Sequence, residues 1–162
     1  MNDISFGLLG GSFTLRTARE ADVSAIVDLL ADDDLRSAEE SSAPEDLAPY
    51  LAAFHAIDRD SAHLLVVVAD SVGRVVGTQQ LTVLPGLARS GATRLQVEAV
   101  RVSADLRGNG LGGEMITWAV EYGRGLGCRL IQLTSDATRN DAHRFYERLG
   151  FTPSHVGFKL FL

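Results

Sequence analysis
At 162 residues the chain suits one domain with a core of its own, with 46% hydrophobic and 22% charged residues. A net charge of −6 argues against a nucleic-acid backbone as partner. No apolar run approaches membrane-spanning length, no signal-peptide pattern opens the chain, and the one cysteine, Cys128, reads as a small buried residue, which fits a reducing cytoplasm.

Residues 1–11 are polar and glycine-containing and read as a loose leader, with one domain over 12–162. Ser12 to Ala18 alternates as a strand does. Glu20 to Ala31 places Val23, Ile26, Val27 and Leu30 on one helical face. Asp32 to Asp46 is a polar connection holding Asp32, Asp33, Asp34, Glu39, Glu40, Glu45 and Asp46 against Arg36. Pro44, near Ser41 and Ser42, opens a second helix that runs to about Asp58 and buries Leu47, Leu51 and Phe54. Ala62–Ala69 and Val75–Leu84 read as a hairpin about the turn Asp70 to Arg74. Pro85 to Gly91 breaks the pattern, and Arg94 to Val102 is the next strand.

A glycine-rich turn follows, Arg107-Gly108-Asn109-Gly110-Leu111-Gly112-Gly113, and then a helix from Glu114 to Arg124 with Leu111, Met115, Trp118, Ala119 and Tyr122 on one face. The first turn of a helix carries backbone N–H groups without partners at the positive end of the helix dipole, and glycines let a phosphate approach closely. The element is built to hold a phosphate or pyrophosphate. Arg129 to Ser135 is a buried-looking strand. Arg139 to Leu149 is a helix with Ala142, Phe145, Tyr146 and Leu149 on one face, stopped by Gly150. Phe151 and Val156 to Phe161 supply the last strand or strands. The order β-α-α-β-β-β-α-β-α-β-β predicts an α/β fold with a mixed, mostly antiparallel sheet flanked by helices.

Two devices use glycines at this density. Gly108-x-Gly110-x-x-Gly113, with Asp136 after the next strand, fits the dinucleotide fingerprint. There the turn follows its strand directly, whereas here Ser103-Ala104-Asp105-Leu106 intervenes. The other pattern is Val100-x-Val102 leading into Arg107-x-x-Gly110-x-Gly112. Together with Glu98 and with His143-Arg144-Phe145-Tyr146-Glu147-Arg148-Leu149-Gly150-Phe151, it resembles the GNAT family of N-acetyltransferases over nearly the whole chain from Ser12. Two positions depart from the family's usual pattern. Ala104 stands where a proline is common, and Arg139 stands where an asparagine is common, with Asn140 one step later.

The resemblance implies acetyl-CoA as co-substrate. It places Val100, Arg101, Val102, Arg107, Gly108, Asn109, Gly110, Leu111, Gly112 and Gly113 on the cofactor, with Asn140 as a weaker candidate. It also implies that the strand carrying Val100 to Val102 splays from its neighbour and pairs with the pantetheine arm. Acyl transfer to an amine needs the ammonium deprotonated and the thiolate protonated as it leaves. Glu98 is the candidate base: strand parity sets it on one face with Val100 and Val102, and a carboxylate on an apolar face suggests a site. Tyr146 is the candidate acid. Among the histidines, His143 and His155 could line an acceptor pocket, while His55 and His63 read as structural or exposed. No metal-ligand spacing, nucleophile elbow or P-loop lysine occurs, so no metal is expected.

The expected activity is transfer of an acetyl group to a primary amine by direct attack in a ternary complex, in the cytoplasm, with no nucleic-acid or membrane partner. The resemblance also implies a homodimer through the last strands. A non-catalytic acyl-CoA-binding module on the same scaffold stays open beside it, as does a Rossmann-type oxidoreductase. The acidic stretch Asp32 to Asp46 is either a solvated loop or a wall that draws in a cationic small-molecule amine.

Overall fold
The computed structural model describes residues 3–8, 10–32 and 40–162. Six strands lie in the order β1 (Ile4–Leu8), β2 (Gly11–Thr17), β3 (His63–Ala69), β4 (Val75–Leu84), β5 (Arg94–Val102) and β6 (Leu130–Leu133). Every neighbouring pair is antiparallel except β5 and β6, which run parallel. A parallel pair needs a crossover, and α4 (Leu111–Gly125) supplies it. One parallel pair in six strands is not the doubly wound sheet of a dinucleotide-binding domain, so the Rossmann alternative falls on topology.

Helices α1 (Val23–Ala31) and α2 (Ala48–Arg59) cover one face of the sheet. Val23, Ile26, Val27 and Phe54 close over Val67 with Leu47 and Leu51 half-buried beside them. The apolar spacing that predicts these helices is the spacing that packs. Short helical turns at Glu20–Asp22 and Pro44–Asp46 precede α1 and α2 where one continuous helix is expected. Pro49 lies within the first turn of α2, where its missing N–H costs nothing. The entry to α1 is pinned by Asp22. Its carboxylate accepts from Arg16 at 2.6 and 2.8 Å and from the Arg19 N–H at 2.7 Å. Burial alone would raise the Asp22 carboxyl, but the Arg16 hydrogen bond, the Arg19 N–H and both positive charges hold it below its ordinary value.

The opposite face is covered by α4 and α5 (Asn140–Arg148). Met115, Ile116 and Ala119 of α4 bury Val66, Val68, Leu81, Leu95 and Val97, and Phe145, Tyr146 and Leu149 of α5 extend that core. A four-residue turn, α3 (Ala88–Gly91), breaks the β4–β5 hairpin, with Arg89 and Ser90 at left-handed φ of 56° and 59°.

Two expectations are corrected. Ile4–Leu8 is not loose leader but an edge strand, paired antiparallel from Ile4↔Leu15 to Leu8↔Gly11, with the Phe6 ring stacked on Phe13 at 5.9 Å. Of the glycines that make this stretch read as loose, Gly10 lies in the turn with φ 76° and Gly11 opens β2 opposite Leu8. At the other end, residues 151–162 form no strand, so the final β or β-β of the expected order is absent. Val156, Phe158, Leu160 and Phe161 are 79–93% exposed. Their alternation is strand-like, but among the described residues they pair with no strand.

Candidate active site
The centre of the site is an irregularity in β5. Leu81 stands opposite Val97, Gln80 opposite Glu98, then Thr78 opposite Arg101 and Gly77 opposite Val102. One residue of β4, Gln79, therefore faces two of β5, and Ala99 takes the left-handed φ of 52° that such a bulge requires. The extra residue reverses the side-chain alternation. Cross-strand partners share a face, so Glu98 and Arg101 lie with Gln80 and Thr78 on the side of α1 and α2. Val97 and Val102 lie with Leu81 and Gly77 on the side of α4, where Met115 packs against Gly77. The parity argument that set Glu98 beside Val100 and Val102 is thus corrected: Val100 and Val102 pack against the core under α4, and Glu98 is exposed on the opposite face.

The bulge also bends β5. Its parallel pairing with β6 ends at Val97↔Leu133, while β5 runs on to Val102. Among the described residues no strand pairs with the β6-side edge of β5 beyond Val97, and the backbone of residues 98–102 can pair with an extended ligand there. Arg101 Nη1 donates to the Val100 carbonyl at 2.9 Å on this stretch.

The glycine turn stands at the end of β5. Gly108 and Gly110 adopt φ of 77° and 94°, a region that side-chain-bearing residues rarely enter, and Gly110 caps α4. The Glu114 N–H bonds to the Gly110 carbonyl at 3.1 Å. The N–H groups of Leu111, Gly112 and Gly113 precede the first intrahelical acceptor and point out of the helix start. A Cβ at Gly113 would meet nothing within 4 Å, so that glycine keeps open space in front of the helix. At Gly112 a Cβ would touch the Phe145 ring at 3.5 Å, so this glycine lets α4 and α5 approach. The donors present fit a pyrophosphate. The Arg107 side chain turns away from the N–H cluster: Nε donates to the Val102 carbonyl at 2.9 Å, and Nη2 reaches Asp32.

Tyr146 sits on α5 under the α4-side core, with its ring edge-on to Phe145 at 5.0 Å and to Phe151 at 5.8 Å. Burial pushes its phenol above the ordinary value, and the charges of Arg101 and Arg139 pull partly the other way. The phenol therefore keeps its proton at neutral pH. Tyr146 thus packs on the α4 side of the sheet, and Glu98 stands on the opposite face. Asn140 is exposed at the first turn of α5. His143 Nε2 is 2.9 Å from the Asp136 carbonyl oxygen, and His155 lies beside Ser154, with Nδ1 2.7 Å from Oγ. His63 is bonded to Thr82, and His55 lies 3.5 Å from Glu20 on the surface.

Of the acidic stretch, Asp32 is held by Arg107 and Glu40 accepts the Tyr50 hydroxyl at 2.7 Å, while Asp33, Asp34 and Glu39 lie outside the described residues. Sequence reasoning missed the polar strip beside Glu98: Thr78, Gln80 and Thr82 on β4, Gln96 on β5 and Gln132 on β6. Its signal is Thr-x-Gln-x-Thr and Gln-x-Glu inside strands that are otherwise apolar. Among the described residues no group of three His, Cys, Asp or Glu could hold a metal, and no helix is long and apolar enough to cross a membrane.

The model of the Acetyltransferase (GNAT) family matches residues 24–151. An aminoalkylphosphonate N-acetyltransferase of Salmonella typhimurium is 36% identical over 63 residues, covering 39% of this chain and 41% of that protein. A glucosamine 6-phosphate N-acetyltransferase of Trypanosoma brucei brucei is 37% identical over 79 residues, 49% of this chain and 52% of that protein. The chain thus spans about half or less of the curated relatives it matches. A crystal structure described as a transcriptional regulator from Bacillus halodurans C-125 superposes with a TM-score of 0.88 at 39% identity, over 93% of this chain and 99% of that one.

Proposed function
Because this chain belongs to the GNAT acetyltransferase family, we propose that it transfers the acetyl group of acetyl-CoA to the primary amine of a small molecule by direct attack in a ternary complex. The observation that carries the reading is the open edge of β5 beyond Val97, with the glycine turn at its end, Glu98 on one face and Tyr146 on the other. In this reading the N–H groups from Gly108 to Gly113 hold the pyrophosphate, and the backbone of Val100, Arg101 and Val102 pairs with the pantetheine arm. Asn140, exposed at the start of α5, is the weaker candidate for supporting that arm. A backbone N–H near Val100 polarises the thioester carbonyl.

An alkyl ammonium has a pKa near ~10.4 and is almost wholly protonated at pH 7. Glu98 takes that proton, directly or through a water, on the face open to solvent. The amine attacks the carbonyl, the C–S bond breaks, and Tyr146 gives its proton to the leaving thiolate on the other face. Aminoalkylphosphonate and glucosamine 6-phosphate, named for the two relatives, are small primary amines, which supports an acceptor of that size. The ammonium is the cationic group the site meets. Use of acetyl-CoA is consistent with a cytoplasmic location.

The exposed alternating segment Val156 to Phe161 and the unpaired outer edge of β6 support a homodimer in which each copy supplies a strand to the other. Light scattering on the intact chain and on Phe158→Asp tests this, with a dimer expected only for the first.

The experiment for the activity is a panel of primary amines incubated with acetyl-CoA, reading CoA release and the acetylated product by mass spectrometry. A second reading, an acyl-CoA-binding regulatory module, is favoured by the description of the Bacillus halodurans protein. Thermal stabilisation by acetyl-CoA with no product from any amine would decide for it.

A further inference from the structure
A polar row crosses four strands on the face that carries Glu98. His63 of β3 stands opposite Thr82 of β4, Thr82 opposite Gln96 of β5, and Gln96 opposite Gln132 of β6. The side chains are joined at both ends of the row. His63 Nδ1 and Thr82 Oγ1 are 2.9 Å apart, and Gln132 Nε2 donates to Gln96 Oε1 at 2.7 Å. The next row along the same face holds Leu65, Gln80 and Glu98.

The two halves of the row differ. Thr82 is 8% exposed, and its hydroxyl is taken up by His63. Gln96 and Gln132 are half-buried and keep a solvent side. A glutamine amide carries two N–H donors and a carbonyl with two lone pairs. The bond between the two amides uses one donor and one lone pair, and a Gln96 N–H reaches the Val97 carbonyl at 3.5 Å, so each amide has one further N–H and a lone pair to offer a ligand. Gln96 precedes Glu98 by two residues, before the bulge, so the two share a face about 7 Å apart along the strand. That is the scale of one sugar ring.

A hydroxyl both donates and accepts, as this amide pair does. An alkyl chain laid on the pair would leave its polar groups desolvated and unpaired, and a site built to bond hydroxyls rejects analogues that lack them. We infer that Gln96 and Gln132 determine acceptor specificity, and that the acceptor is a polyhydroxylated primary amine of the amino-sugar kind, its ammonium at Glu98 and its ring hydroxyls on the two amides. This rests on the acyl-transfer reading of the same site.

The test compares glucosamine with cyclohexylamine, an amine of similar ring size without hydroxyls. Both are measured as substrates with acetyl-CoA and as ligands of the CoA-loaded protein by calorimetry. The wild type should favour glucosamine in kcat/KM. Gln96→Leu and Gln132→Leu should each lower the glucosamine-to-cyclohexylamine ratio about tenfold or more, chiefly through KM. Gln132→Met serves if a leucine variant fails to fold, and CoA affinity reports that the protein is intact. A wild type that favours cyclohexylamine, or a ratio unchanged in a folded variant, overturns the inference. Acetyl transfer to alkylamines with no glucosamine binding also overturns it and leaves the activity standing. Glucosamine binding that depends on both glutamines, with no transfer to any amine, upholds the site and overturns the activity.

Discussion

Arg107 joins the glycine turn to the end of α1: its Nη2 lies 2.7 Å from both the carbonyl and the carboxylate oxygens of Asp32. The same guanidinium donates through Nε to the Val102 carbonyl at 2.9 Å, so one side chain ties α1, the end of β5 and the glycine turn together. Both partners are about half exposed, and an exposed pair adds at most about 1 kcal/mol to stability. Its effect should fall on the turn. Arg107→Ala should weaken acetyl-CoA binding by roughly tenfold, through the ordering the free turn must then undergo on binding, with the melting temperature of the free protein little changed. Asp32→Asn should move binding the same way by less. Calorimetric Kd values check this; unchanged affinity in Arg107→Ala would remove the strut from the binding function.

Gly110 and Gly113 should respond differently to alanine. At Gly110, φ of 94° makes any side chain strained, so Gly110→Ala should lower the melting temperature. Gly113 is helical with open space around its Cβ position, and alanine there should stabilise the free protein by about 0.5 kcal/mol. The new methyl would stand in front of the helix start, where the pyrophosphate is expected, so acetyl-CoA affinity should fall in Gly113→Ala. A thermal-shift series with and without acetyl-CoA separates the two effects. A Gly113→Ala protein both more stable and equally tight would place the phosphate elsewhere.

The two candidate catalytic groups should differ in pH behaviour. Glu98→Gln should cut turnover at neutral pH, and the loss should shrink as pH approaches the pKa of the acceptor amine, which then deprotonates unaided. A loss constant with pH would make Glu98 a positioning group only. Tyr146→Phe should slow turnover by about 10²- to 10⁴-fold. Because burial raises the Tyr146 phenol above its ordinary value of 10.0, the wild type should not lose this acid anywhere below that pH. Rates over pH 6–10 for the three proteins check both roles.

Asp22 should govern acid stability. Its folded pKa is held below the unfolded value, so its contribution is complete above the unfolded carboxylate range near ~3.9 and fades as pH falls through the lower folded value. The Arg16–Asp22 pair has side chains only 14% and 10% exposed. Removing the carboxylate in Asp22→Ala strands a largely buried guanidinium, at a cost of about 3 kcal/mol at pH 7. Denaturant unfolding at pH 7 and pH 3 should show a smaller gap between wild type and variant at the lower pH. A gap independent of pH would mean that packing, not charge, sets the contribution.

Much of this protein is legible in its sequence because the signals are local. Apolar spacing alone places α1, α2, α4 and α5, and β-branched runs place β3 to β6. The run Arg107 to Gly113 reads as a tight turn into a helix start, and the positive φ values of Gly108 and Gly110 ahead of α4 follow from the glycines there. Tyr146 falls on the core face of its helix for the same periodic reason.

What only the tertiary structure decides is non-local pairing. Ile4–Leu8 looks loose until β2 pairs with it, and Val156 to Phe161 looks like a strand although no strand among the described residues takes it up. Which residues share the face of Glu98 depends on a bulge at Ala99, and alanine carries no mark of a left-handed φ. The register between β4 and β5 imposes it. That one extra residue brings Arg101 onto the face of Glu98 and sends Val100 and Val102 to the α4 side, because strand alternation is exact only while each residue has a single partner across the sheet.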